Sequence, residues 1–339
     1  MSRSSAPVPS EHRHRLPHKQ IERLHVEYRP NRSTGQRLKA LQLELGFIVV
    51  PSEVPPMIDM HIHVVPPNLP GVGPLHPALK GSVDSVGKWL RDQMSVAGIT
   101  RALAMGSADG GDTDPLGIDR TLAIAERVQG LFAIGIADPR RCDPDYLRRV
   151  EPLLAAGKVI ALKGYLGYIH AYPNDPGYQP YYRLAAKYRV PFIFHTGDTY
   201  SPYAKLKYAH PLGVDEVAVD HPDVNFVMAH VGNPWMLDAA AVIYKNVNVW
   251  CDLSGLIVGS DDDFLDPSKL AAMDEVLGRI RQAFRYAERP NRFLYGSDWP
   301  LAPMIRYRDF IRQAIPREYH DQVFQDNAAM LFGLHDHEA

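Results

Sequence analysis

The sequence predicts a (β/α)8 TIM barrel with an N-terminal extension, and three observations carry that reading. From residue 57 onward, eight short runs rich in Val, Ile, Leu, Phe and Ala alternate with longer amphipathic stretches, the pattern of βα units around a parallel sheet. A chain of 339 residues is long enough to close such a barrel as one domain. No Gly-rich dinucleotide fingerprint follows the first run, which places a doubly wound open sheet second.

The first strand is expected over 58–64, where the apolar residues of Ile58-Asp59-Met60-His61-Ile62-His63 alternate with polar ones. Strands two to four fall over 101–106, 131–136 and 159–164, and strands five to eight over 191–195, 225–230, 247–252 and 292–297. The amphipathic stretches between them predict helices over 85–97, 119–128, 144–156, 179–188, 214–220, 234–244, 270–286 and 307–314. Residues 318–334 read as one or two closing helices. The barrel domain is assigned to 51–339 and an arm to 1–50, because residues 1–36 are rich in Ser, Pro, Arg and His with almost no apolar periodicity. Residues 1–40 hold nine Lys/Arg against three Asp/Glu. A solvated tail, or a strap across a neighbouring subunit, is the reading preferred over a dedicated anionic partner.

Composition excludes several classes of function. A net charge of −2 argues against a whole-molecule role on nucleic acid or anionic lipid. No run of about 18 apolar residues suggests a membrane span. The first residues lack a basic start followed by an apolar core, so the expectation is a cytoplasmic protein. Cys142 and Cys251 stand in separate contexts and form neither a disulfide framework nor a zinc ribbon.

In a barrel of this kind the C-terminal strand ends carry the site. Strand one ends in His61-Ile62-His63, strand four in Lys163, strand five in His195, strand six in His230 and strand eight in Asp298. Each has a plain explanation alone: a hydrogen-bonded structural histidine, or Asp298 as a helix N-cap ahead of Pro300. Their joint occurrence at strand ends of one barrel points to a metal site. Imidazoles plus a carboxylate describe a catalytic zinc or manganese centre with an open position, as opposed to a closed structural one. Aromatic and cationic residues follow these strands: Tyr165, Tyr168, His170 and Tyr172 after strand four, then Tyr200, Lys205 and Lys207 after strand five. Trp235 and Trp299 follow strands six and eight. Tyr165, Tyr200, Trp235 and Trp299 are the substrate-binding candidates, for a small molecule bearing a ring or a carboxylate.

Four segments carry a family resemblance: Ile58-Asp59-Met60-His61-Ile62-His63, Phe194-His195-Thr196-Gly197, Met228-Ala229-His230-Val231-Gly232-Asn233-Pro234-Trp235 and Leu294-Tyr295-Gly296-Ser297-Asp298-Trp299-Pro300. Over about residues 57–332 the chain resembles the amidohydrolase superfamily, in the amidohydrolase-2 branch that also holds the aminocarboxymuconate-semialdehyde decarboxylase-like enzymes. The resemblance implies one divalent ion, zinc ahead of manganese, on His61, His63, His195 and Asp298, with His230 beside it as acid/base or polariser. It also implies two readings of Lys163, a carboxylated bridge between two ions or a contact to a substrate carboxylate. Many decarboxylating relatives carry Glu at the first position of the His pair, so His61 favours hydrolysis. The expected activity is therefore attack of a metal-activated water on a small amide, ester or lactone, with Asp298 taking the proton and His230 polarising the carbonyl. The alternatives are non-oxidative decarboxylation of an aromatic or unsaturated acid and, further off, a non-catalytic binding protein. Barrels of this branch are often dimers, so a homodimer is expected.

Overall fold

Eight parallel strands follow one another around the sheet in sequence order, β1 Met57–His63, β2 Ile99–Met105, β3 Leu131–Ile136, β4 Ala161–Gly164, β5 Phe192–His195, β6 Phe226–Ala229, β7 Val249–Asp252 and β8 Phe293–Leu294. The structure is a computed structural model describing residues 56–334; the arm expected over 1–50 lies outside the described residues. The ring closes beyond β8 through backbone bonds. Met60 N donates to Tyr295 O at 3.0 Å, Asp298 N to His61 O at 2.8 Å and His63 N to Trp299 O at 2.7 Å. The fold is the expected barrel.

The outer helices form for local reasons visible in the sequence. In α1, Val83–Ala97, the buried residues Val86, Leu90, Met94 and Ala97 recur at helical spacing. Ser82 caps its start by accepting from Ser85 N at 3.1 Å, and Gly98 ends it at φ 72°. The remaining outer helices are α2 Asp119–Ala125, α3 Pro144–Ala155, α4 Gln179–Tyr188, α5 Leu212–Asp220, α6 Met236–Lys245, α7 Asp261–Leu265, α8 Leu270–Ala287 and α9 Met304–Arg312. Helix α7 was not anticipated, being a single turn nucleated by a reciprocal capping box between Ser260 and Asp263. No helix among the described residues is long and apolar enough to cross a membrane.

Two apolar layers result. One lies between strands and helices. The other fills the lumen with Ile58, Met60, Leu103, Met105, Ile134, Ile193, Val227 and Leu294, and α10, Asn327–Phe332, adds Leu331 and Phe332 to it. The expected closing helix over 318–334 thus plugs the end of the lumen opposite the strands' C-terminal ends.

Strand β1 contains a phase slip that matters for the site. Asp59 pairs with Ala102 and Ile62 with Ala104, so Met60 and His61 together stand opposite a single residue of β2. That is a bulge. Met57 lies in the outer layer and Met60 in the lumen, so unbroken alternation would carry His61 and His63 to the side of Met57. The extra residue restores them to the lumen and turns Ile62 outward.

Candidate metal centre

The strand ends bring His61, His63 and Asp298 into one buried group whose ligand atoms all lie within 4.8 Å of one another. His63 Nε2 is 3.3 Å from Asp298 Oδ1, and His61 Nε2 is 3.7 Å from the same oxygen. A second group, His61, His230 and Asp252, shares His61. His195 approaches from β5, with its Nδ1 3.2 Å from His230 Nε2.

The hydrogen bonds around the cluster decide which ring nitrogens carry protons. His61 Nδ1–H donates to Asp252 Oδ2 at 2.9 Å, leaving the Nε2 lone pair toward Asp298. His230 Nδ1–H donates to Ser254 O at 3.0 Å, and His195 Nε2–H donates to Asp198 O at 2.8 Å. The two remaining lone pairs, His230 Nε2 and His195 Nδ1, therefore face each other. Asp298 Oδ1 is buried with no hydrogen-bond partner among the described residues. The protons of His61, His195 and His230 are thus held outside the cluster, which leaves their lone pairs available to a cation. The separations of 3.3 and 3.7 Å from Asp298 Oδ1 to the Nε2 atoms of His63 and His61 are close to the roughly 3.3 Å expected between ligands 2.0–2.1 Å from one tetrahedral ion.

Charge states agree with this. Burial pushes His61 down to about 4 and His195 well below the usual histidine range, so both imidazoles are neutral at pH 7. Burial alone would raise Asp298, but the His63 ring 3.3 Å away and the other neighbouring imidazoles hold it below the ordinary carboxylate range. The centre thus offers the neutral imidazoles of His61 and His195 and the ionised carboxylate of Asp298.

The backbone here is strained in a consistent way. His230, Val231 and Asp298 take φ values of 60°, 41° and 59°, a region costing about 1–3 kcal/mol for a non-glycine residue. Donation from His230 N to Asp252 Oδ1 at 3.0 Å and from Asp298 N to His61 O holds two of these turns. Asp298 is no helix N-cap, since α9 begins six residues later. Gly255 lies directly against the cluster: a Cβ there would stand 2.7 Å from Asp298 Oδ2 and 2.8 Å from His230 Nδ1.

Asp252 was not among the sequence candidates. It is fully buried and its Oδ1 accepts from His230 N, from Ser254 N at 2.9 Å and from Ser254 Oγ at 2.5 Å. The signal existed, because Asp252 is the last residue of β7 as His195 is of β5. Asp59 also bears on the site: its Oδ1 accepts from Ser297 N at 2.9 Å and from His61 N at 3.2 Å, tying the first strand to the segment after β8.

A cavity of about 550 Å³ opens over the cluster. Tyr165 and Tyr200 line it, with Tyr168 between them. Trp235 and Trp299 do not, and the substrate contacts expected of them are corrected accordingly. Trp299 is 1% exposed in the outer core, its ring 4.3 Å from that of Trp89, because the chain turns it away from the lumen as Asp298 turns in. Trp235 packs on His210 at 4.7 Å. Lys163 is fully buried on β4 and does not line the cavity. Its ammonium sits 5.5 Å from the centre of the Tyr165 ring without a hydrogen-bond partner among the described residues, and burial pushes it down to about 8.

A family model described as amidohydrolase matches residues 58–334. Among solved structures, 5-carboxyvanillate decarboxylase from Sphingomonas paucimobilis is similar at 17% identity and TM-score 0.53, over 77% of this chain and 87% of that one. The 2,6-dihydroxybenzoate decarboxylase from Rhizobium aligns at 15% identity and TM-score 0.55, over 82% and 98%. A zinc-bound amidohydrolase from Burkholderia multivorans aligns at 17% identity and TM-score 0.52, over 82% and 99%. No curated protein matches the chain. At these identities the structural likeness speaks for the fold.

Proposed function

Because the chain belongs to the amidohydrolase family, whose members are metal-dependent enzymes, we propose that it is a metal-dependent hydrolase of a small amide, ester or lactone. The observation that carries the reading is the meeting of His61, His63 and Asp298 in one buried group, with the His61 proton held on Asp252 and His195 Nδ1 beside the group against His230. His61, His63, His195 and Asp298 would hold a single divalent ion, zinc in preference to manganese given the imidazole-rich set. When bound, such an ion polarises a substrate carbonyl and lowers the pKa of a water toward 7. Asp298, ionised and with one oxygen free, is placed to accept that water's proton and return it to the leaving group. His230 keeps its Nδ1 proton on Ser254 O and directs Nε2 into the cluster, where it orients or exchanges a proton beside the reacting carbonyl. Asp252 fixes the His61 tautomer. His61 in place of a carboxylate at the first position of the pair supports hydrolysis over decarboxylation.

The test combines metal content with product analysis. Purified protein should hold about one ion per chain, and turnover should open an ester, amide or lactone without releasing carbon dioxide. His61→Ala, His63→Ala and Asp298→Ala should each lose the ion and the activity. His230→Ala should lose activity and keep the ion, whereas His76→Ala and His221→Ala should change neither. Normal turnover and stoichiometric metal in Asp298→Ala would overturn the reading; carbon dioxide as product would select the lyase.

A further inference from the structure

The cavity over the cluster is chemically divided, and the division says what enters it. Its floor carries the histidines and Asp298, and its walls are apolar, built by Leu69, Val72, Leu256, Ile257 and Met273 with Leu301 at the rim. No arginine among the described residues lines it. The lysine that does, Lys269, is exposed and already paired with Asp263. Arg279 donates to Asn233 Oδ1 at 3.3 Å and stands outside the lining. Asp198 adds negative charge to the wall, while Asp263 and Lys269 offset each other. Neutral donors stand near the floor: the Tyr165 hydroxyl, buried with no hydrogen-bond partner among the described residues, and the Tyr168 hydroxyl, whose oxygen accepts from Tyr200 N at 2.9 Å and whose proton is not used in that bond.

We propose that the substrate body is uncharged and apolar, a ring or branched hydrocarbon frame, with its polarity confined to the one carbonyl-bearing end that meets the histidine cluster and the Tyr165 hydroxyl. A second carboxylate on that body would lose its hydration against apolar walls, meet no unpaired cation among the described lining residues and face Asp198. A volume of about 550 Å³ is that of about eighteen liquid waters, ample for a substituted ring. The inference rests on the hydrolase reading only in using the cluster as the polar end.

The experiment measures binding of benzohydroxamate, 4-carboxybenzohydroxamate and acetohydroxamate by calorimetry to zinc-loaded and to metal-free protein. Benzohydroxamate should bind at least tenfold tighter than either of the other two in the zinc-loaded protein, and should keep its advantage over the carboxylated probe in the metal-free protein. Tenfold is what about 60 Å² of apolar surface yields at 25 cal/mol per Å². Ile257→Lys, a change at a half-buried wall position whose folding is verified by its thermal transition, should narrow the gap between the neutral and carboxylated probes at least threefold. The proposal is overturned if the carboxylated probe binds as tightly as the neutral one, if the ring gains nothing over acetohydroxamate, if benzohydroxamate does not bind at millimolar concentration, or if Ile257→Lys leaves the gap unmoved. Zinc that changes none of the three affinities refutes the metal reading instead, while the ratio of neutral to carboxylated probe still decides the substrate class.

Discussion

Asp252→Asn preserves the shape of a fully buried side chain while exchanging one acceptor for a donor. In the wild type, Oδ1 receives His230 N, Ser254 N and the Ser254 hydroxyl, and Oδ2 receives His61 Nδ1. Three donors will keep the amide oxygen of Asn at the Oδ1 position, which forces its NH2 toward His61. His61 must then offer Nδ1 as an acceptor and move its proton to Nε2, the nitrogen that faces Asp298. The metal ligand is lost without removal of any ligand residue. Loss of an oriented partner of this kind costs 10- to 100-fold in metal affinity, about 1.4–2.7 kcal/mol. A charge-assisted hydrogen bond is worth a similar 1.5–3 kcal/mol. Zinc affinity would be measured by competition with a chelator of known strength, and the His61 tautomer by its ring 15N shifts. Affinity within threefold of wild type, with His61 still protonated at Nδ1, would refute the reasoning.

Gly255→Ala should lower metal affinity and activity at least tenfold, since its Cβ would press on Asp298 Oδ2 and His230 Nδ1 from a backbone at φ +64°; metal titration and unchanged far-ultraviolet dichroism check it. Lys163→Met should stabilise the metal-free protein. The Lys163 ammonium, held near 8 against an ordinary 10.5, opposes folding most below pH 8, and that penalty fades as pH rises toward 10.5. The gain on substitution should therefore reach a ceiling of about 3 kcal/mol at pH 7 and vanish by pH 10.5 in urea titrations, and a gain that grew with pH would reverse the sign of the argument. Trp299→Ala should cost about 3–5 kcal/mol of stability, as for a large buried aromatic, measured by the same titrations, whereas a surface substrate contact would leave stability unchanged.

Strand order and helix spacing were legible because each depends on local periodicity. Runs at 131–136 and 191–195 match β3 and β5 within a residue. The eighth run, 292–297, keeps two residues in the ladder, because after Leu294 the chain leaves regular pairing to turn Asp298 inward at φ 59°. His61, His63, His195, His230 and Asp298 were readable as strand-end residues, and the structure gathers them. Asp252 ended the seventh run and was legible by the same strand-end rule, but its role is to hold a histidine from another strand, a pairing that no sequence spacing records. Trp299 misled for a complementary reason. Adjacency in sequence to Asp298 places it one step along a turn, and one step reverses the direction of a side chain. Lys163 was readable as a strand-end cation, and the structure buries it on β4 outside the cavity lining.

The slip between Asp59 and Ile62 divides one strand into two segments that answer to different demands. Below it, Ile58 and Met60 follow the needs of lumen packing, so their substitutions are judged by volume. Above it, His61 and His63 follow the needs of chemistry. A single inserted residue acts as a clutch between the two. Either segment can be altered without rotating the other, whereas regular pairing carried through 59–62 without the slip would turn both histidines out of the lumen.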